Sequence, residues 1–312
     1  MTQTPLDPGM MTYCNALAAQ SPPGAEKWPL ARQRTAWDDL CKQFRAPRPP
    51  TIEVTDISAN GVPARLFKPK DRRVSPGVIY AHGGGWVLGS METHDDMCAE
   101  MAAGADCAIV LFDYRLAPEH PYPAQLEDTL KVWRWMREHG ASNGIDPLNI
   151  IAAGDSCGGQ MSVALALTLR EMNLAQVTAM LLLYPVLGAD LSTASSIRNA
   201  NAPGLTRAEM DFYLQSFLGP EGSPAWSDPK ALPALADVTG LPPAMLTVAA
   251  HDPLFDDGVS FARKLVRAQV PCELREEPAL AHSYMRARHH SPVAMAGFQA
   301  IVAALKRFAH GS

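Results

Sequence analysis

No run in this chain approaches the ~20 consecutive apolar residues that a membrane span requires. Met1-Thr2-Gln3-Thr4-Pro5 has no basic segment followed by an apolar one, so no secretory leader is read. Cysteine is sparse and scattered, with six residues at positions 14, 41, 98, 107, 157 and 272. No pair has the spacing of a zinc knuckle or a redox motif. Cys107 and Cys272 lie in apolar strand-like runs and read as buried free thiols. The expected location is a reducing cytoplasm. Charge is also unremarkable: 27 basic against 32 acidic residues give a net charge of −5, with no long run of either sign. That speaks against nucleic acid or a stable membrane association. There is no internal repeat, no low-complexity segment, and no long basic amphipathic helix with exposed aromatics of the kind that forms a lipid-interface lid.

What is present is a globular composition, 47% hydrophobic and 19% charged over 312 residues. The 27 prolines gather near the N-terminus and in Ala202–Pro243. Residues 1–50 carry two helical patches, Met10–Ala19 and Ala31–Phe44, broken by prolines. Thr51–Ser58 and Val62–Lys68 alternate around Asn60-Gly61, a hairpin signal. Short, almost wholly apolar runs follow at Gly77–Ala81, Cys107–Phe112, Asn149–Ala153, Ala179–Tyr184 and Ala244–Ala249. Such runs mark strands covered on both faces of a parallel sheet. Cys272–Glu277 is a more polar strand candidate. Helical patterns alternate with them at Thr93–Ala105, Ala124–Glu138, Gln160–Met172, Gly258–Ala268 and Pro292–Phe308.

This order predicts an α/β fold: a mostly parallel central sheet, helices on both faces, and a helical cap over the carboxyl ends of the strands. The expected division is 1–50 as the N-terminal part of the cap, 51–187 as the first part of the core, 188–240 as a cap insertion with a helix at Arg207–Leu218, and 241–312 as the second part of the core.

The chemistry centres on Gly154-Asp155-Ser156-Cys157-Gly158-Gly159, between an apolar strand and a helix. Gly-x-Ser-x-Gly at such a junction is the nucleophile elbow, which lifts a serine hydroxyl above the sheet. Taken alone, the pattern fits a tight turn equally well. The remaining parts of an acyl-transfer site decide the matter. His82-Gly83-Gly84-Gly85-Trp86 follows its own strand and offers backbone N–H groups to an oxyanion. It lacks the Lys-Ser/Thr of a phosphate loop and the spacing of a dinucleotide fingerprint. The backbone N–H of Cys157, at a helix start, is the second expected donor. Cys157 itself is not expected to be the nucleophile, because the glycines are centred on Ser156.

The base must titrate near neutrality, which points to histidine. His282 follows the last strand candidate and precedes the final helix. His82 reads as a loop-holding residue, His289 and His290 as surface residues, and His94, His120, His139 and His310 have no such context. Asp252, directly after Ala244–Ala249, is the expected orienting acid. Asp256 and Asp257 read as caps of the helix from Gly258. Trp86 and Tyr184 are the expected substrate contacts. No metal or organic cofactor is called for.

HGGGW at 82–86, Asp113–His120 with Pro123 and Glu127-Asp128, GDSCGG at 154–159, Leu183-Tyr184-Pro185, Leu241-Pro242-Pro243 and Asp252-Pro253-Leu254 with Asp257-Gly258 together resemble the hormone-sensitive-lipase-like family of α/β-hydrolases, the bacterial carboxylesterases and acetyl esterases. The resemblance runs from about Val78 to His282. It implies an α/β-hydrolase fold, Ser156, Asp252 and His282 as catalytic triad, Gly83, Gly84 and Cys157 as oxyanion hole, and a structural role for Arg115 and Glu119. It also allows a homodimer through the final strand and helix. The chain departs from the family at Cys157, where alanine is usual, at His251, where glycine is usual, and in Ser283-Tyr284, where glycine usually stands between the histidine and an aromatic. The expected activity is hydrolysis of short- to medium-chain acyl esters, with a small-molecule ester as partner. An amidase or formamidase with the same triad is an alternative, as is a ligand receptor on a hydrolase fold that has lost catalysis.

Overall fold

The computed structural model describes residues 4–311. Its centre is an eight-stranded sheet in the order β1-β2-β4-β3-β5-β6-β7-β8. β1 (Ile52–Ala59) and β2 (Val62–Pro69) form an antiparallel hairpin, and β2 runs antiparallel to β4 (Ala108–Phe112). Asn60 and Gly61 at the hairpin tip both have positive φ, 51° and 86°, as a turn matching the strand twist requires. From β4 onward the neighbours are parallel: β3 (Ser75–Ala81), β5 (Ile145–Asp155), β6 (Ala179–Leu183), β7 (Ala244–His251) and β8 (Cys272–Ala281). β4 and β6 are buried along their whole length, which explains their unbroken apolar sequence.

Two strands run longer than their apolar cores suggest. β5 begins at Ile145 because Ile145 and Asp146 pair with Ser75 and Pro76 before a register shift. β8 continues through Pro278 to Ala281. It is the edge strand, where a missing N–H costs no ladder bond. That extension delivers His282 to the carboxyl edge of the sheet.

Helices cover both faces. α3 (Met91–Ala105) and α9 (Pro292–His310) pack on one, in a core that includes Val78, Ile109, Leu181 and Phe298. α4 (Ala124–His139), α5 (Cys157–Glu171) and α8 (Phe255–Arg267) pack on the other, with Ile79, Val110, Leu182 and Phe261. The remaining helices are α1 (Pro8–Gln20), α2 (Leu30–Gln43), the short α6 (Ala194–Arg198) and α7 (Arg207–Leu218). α7 opens with a reciprocal capping box between Thr206 and Glu209. Among the described residues no helix is long and apolar enough to cross a membrane.

Candidate active site

The carboxyl ends of β3, β5, β7 and β8 converge, and each releases one loop of the site. The sharpest is the turn from β5 into α5. Ser156 sits there at φ 55°, ψ −118°, a conformation a side-chain-bearing residue adopts only when its surroundings enforce it. A Cβ on Gly158 would fall 1.9 Å from the Ala81 carbonyl oxygen, so the helix start can approach β3 only with glycine at that position.

Ser156, His282 and Asp252 meet. His282 Nε2 is 3.0 Å from Ser156 Oγ, and His282 Nδ1 is 2.6 Å from Asp252 Oδ2. A carboxylate only accepts, so the Nδ1 proton faces Asp252 and Nε2 is left as the acceptor for the serine hydroxyl. Asp252 is 1% exposed. Its other oxygen accepts the Leu254 N–H, and its carbonyl accepts from Asn199 Nδ2. Asn199, from the segment after β6, also donates to the Ala250 carbonyl and so braces the acid loop. Sequence reasoning gave Asn199 no role, because nothing local marks it.

The glycine loop is arranged differently from the expectation. The Gly83 N–H does not face the pocket. It donates to Asp155 Oδ1 at 3.0 Å, and a Cβ there would lie 2.4 Å from Asp155 Oδ2. Gly84 and Gly85 line the pocket beside Ser156 and His282. Gly83 is thus removed from the donors facing substrate, and Gly84 and Cys157 keep N–H groups without a protein acceptor among the described residues. The Cys157 side chain is fully buried and turned toward the loop. Its sulfur accepts the Trp86 N–H at 3.2 Å and lies 3.6 Å from the Tyr114 hydroxyl. Burial pushes the thiol up to about 12, so it stays protonated and unreactive.

His82 lies beneath this loop, its Nδ1 2.9 Å from the Gly83 carbonyl and its ring stacked on Tyr114 at 4.2 Å. Burial lowers it to about 3, so it is neutral and donates through Nδ1. His94, which the sequence gave no context, is fully buried beside Asp155. His289 and His290 are exposed.

The pocket holds about 800 Å³, its open mouth included. Trp86 lines it, with its indole stacked on Phe217 at 4.0 Å and its Nε1 donating to Gln160 Oε1. Tyr184 does not line it. That ring is buried behind His282, edge-on at 5.0 Å. Tyr184 supports the imidazole from behind, and the expectation of a substrate contact is corrected. Residues from both proline-rich regions complete the walls: Gln33 and Trp37 from α2, and Glu209, Met210 and Tyr213 from α7.

Asp256 and Asp257 are corrected as well. α8 starts at Phe255, before either could cap it. Asp257 Oδ2 instead accepts the Leu187 and Gly188 N–H groups, and Asp256 accepts that of Ser195. Both carboxylates therefore tie the segment after β6 to the core. Arg115 forms a two-pronged pair with Asp128, 2.8 and 2.9 Å. Glu119 does the same with Arg34 of α2, 2.8 Å in each prong, and Arg34 also donates to the Val87 carbonyl. That clasp joins the N-terminal helices to the loop that carries Trp86.

A family model described as the alpha/beta hydrolase fold matches residues 78–286. The carboxylesterase NlhH of Mycobacterium tuberculosis is 42% identical over 83% of each chain. The ethyl acetate hydrolase of Pseudomonas putida is 31% identical over 82% of this chain and 81% of its own. Among solved structures, a thermostable esterase from Pseudomonas putida superposes with a TM-score of 0.92 at 26% identity, covering 99% of both chains. A hyperthermophilic esterase from Pyrobaculum calidifontis superposes with a TM-score of 0.90 at 29% identity, over 97% of this chain and 98% of its own. With sheet order, elbow and matched residues in agreement, the chain belongs to the α/β-hydrolase family, in its hormone-sensitive-lipase-like branch.

Proposed function

We propose that this chain is a serine carboxylesterase that hydrolyses small esters of short to medium acyl chain. The observation that carries the reading is the hydrogen-bonded series Ser156–His282–Asp252, at 3.0 and 2.6 Å, opening onto the walled pocket. Ser156 Oγ attacks the ester carbonyl while His282 Nε2 takes its proton. Asp252 holds the ring in the tautomer this requires and stabilises the imidazolium. The N–H groups of Gly84 and Cys157 receive the oxyanion, and loss of one such donor costs ~3 kcal/mol of barrier. The imidazolium returns the proton to the leaving alcohol. Water then cleaves the acyl-enzyme by the same steps in reverse order.

Residues 1–50 and 188–240 act as the cap in this proposal, supported by Gln33, Trp37, Glu209 and Tyr213 in the pocket wall. A cytoplasmic location fits six cysteines that are all free. Amide cleavage would use the same groups, and a matched ester–amide pair separates the two. The decisive experiment is a chain-length series of aryl esters on the wild type and Ser156→Ala. Turnover is expected to peak at short or medium chains and to vanish in the variant. Near-wild-type turnover by Ser156→Ala would remove serine from the mechanism.

A further inference from the structure

Beneath the elbow lies a buried charge arrangement that the triad does not use. Arg286, four residues beyond His282, is 5% exposed. One guanidinium nitrogen donates to the Thr93 carbonyl at 2.7 Å, and the other lies 3.0 Å from His94 Nε2. The Trp37 ring covers it at 4.9 Å. Among the described residues no carboxylate touches it. A compensating charge is Asp155, across the His94 ring, whose Nε2 is 3.3 Å from Asp155 Oδ2.

Proton positions follow from the partners. Arginine only donates, so His94 Nε2 accepts from it and carries no hydrogen. His94 Nδ1, 2.8 Å from Thr93 Oγ1, holds the ring proton. Thr93 is free to accept it, because its own hydroxyl donates to the Ser90 carbonyl. Burial, the leading cause, lowers the His94 pKa in the same direction. The ring is thus a neutral spacer between a buried cation and a buried anion. On its other side Asp155 accepts the Tyr80 hydroxyl and the Gly83 N–H, both at 3.0 Å. The Gly83 N–H also donates to His94 Nε2 at 3.3 Å, and these two acceptors turn it away from the pocket and leave Gly84 facing it.

We propose, resting on the acyl-transfer reading above, that Arg286 is a positioning residue: its positive charge, acting across the neutral His94 ring, keeps the Asp155 carboxylate on the Gly83 N–H and so aims the oxyanion loop. The cluster joins the glycine loop, the elbow and the histidine loop at one point. A carboxylate binds an N–H more strongly than a neutral acid does, so the aim of the loop depends on the charge of Asp155. Burial works against that charge. The Arg286 field and the hydrogen bonds from the Tyr80 hydroxyl and the Gly83 N–H act against it, and the carboxyl is held well below its usual range. The other titratable groups facing Asp155 are neutral. Burial pushes the hydroxyls of Tyr13, Tyr80, Tyr114 and Tyr184 and the thiols of Cys98 and Cys157 upward, and pushes His82 and His94 downward. Arg286 is therefore the formal cation among the groups that face it.

The test is the pH dependence of kcat and KM for a short-chain aryl ester with Arg286→Met and Arg286→Lys. Without the cation, burial drives the Asp155 carboxyl upward. Arg286→Met is expected to lose about 10- to 100-fold in kcat at the acid end, with a new acid limb that the wild type lacks and a KM within about twofold. Arg286→Lys is expected to remove the new limb and restore the wild-type profile. A wild-type profile in Arg286→Met, or a lysine variant no better than methionine, overturns the proposal. If Arg286→Met does not fold, Asp155→Asn takes its place: it keeps an acceptor but cannot titrate. It is expected to lose kcat by a similar factor with no new limb, and wild-type kcat in that variant overturns the proposal. Labelling of wild-type Ser156 by an organophosphate separates the two levels. No label and no hydrolysis sinks the acyl-transfer reading and this proposal with it. Full labelling with an unchanged Arg286→Met profile sinks this proposal alone.

Discussion

Gly85→Ala tests whether the cap and the glycine loop are one packed unit. Gly85 has φ 60°, where an alanine pays ~1–2 kcal/mol for left-handed backbone. Its added Cβ would lie 2.4 to 2.7 Å from three atoms of the Tyr213 ring. Carbon atoms pack at ~3.5–4.0 Å, so ring and loop must separate by about 1 Å. Overpacking of that kind costs ~1–3 kcal/mol. The sum predicts a destabilisation of ~2–5 kcal/mol. Tyr213 belongs to α7, so part of the strain pushes the helix outward and part displaces Gly84. A shift of about 1 Å at the oxyanion donor lowers kcat by ~100-fold. Urea unfolding and ester turnover measure the two effects. Tyr213→Ala removes the obstacle, so the double variant should recover the packing part, a coupling of ~1–3 kcal/mol, but not the backbone part. A single variant within 0.5 kcal/mol of wild type, or a double variant showing no coupling, would refute the close approach of α7 to the loop.

Other outcomes follow from the same packing. Burial, against the Leu187 and Gly188 N–H groups, raises Asp257 to about 6. A carboxyl raised on folding contributes most below its unfolded value and loses that contribution as pH rises through the folded one. Asp257→Asn keeps an acceptor for both N–H groups, so its stability relative to wild type should increase between about pH 4 and pH 6 in pH-resolved urea melts; a constant difference contradicts the assignment. Arg288, its side chain 1% exposed, pairs with Asp96 and Glu100. Arg288→Met should cost ~3–5 kcal/mol in the same assay by leaving Asp96 buried and uncompensated. Gln160 accepts the Trp86 indole N–H and donates to the Lys230 carbonyl. Gln160→Leu should destabilise by ~1–3 kcal/mol and raise KM more than it lowers kcat, since a pocket wall is loosened and no reacting group is lost.

The sheet was legible because its central strands are buried on both faces and therefore read as apolar runs. The hairpin was legible because Asn60-Gly61 supplies two positive φ angles. Strand ends were less so, since the extension of β8 through Pro278 depends on its edge position and not on composition. The elbow, Asp252 and His282 could be singled out because each follows its own strand. Gly83 shows where such reasoning stops. Three adjacent glycines look alike in sequence, yet the Gly83 N–H is turned from the pocket by Asp155, 72 residues away. Arg286 and His94 are 192 residues apart and carry no local pattern. Tyr184 sits beside the site in sequence logic, yet its positive φ of 36° turns the ring behind His282.

The most direct test of the central claim is to quench the reaction with a short-chain aryl ester in its first turnover and locate the acyl group by peptide mass spectrometry. The account predicts a burst of one equivalent of phenol per chain and an acyl group on Ser156, with neither in Ser156→Ala. An acyl group on Cys157 or elsewhere, or hydrolysis that persists in Ser156→Ala, would contradict it.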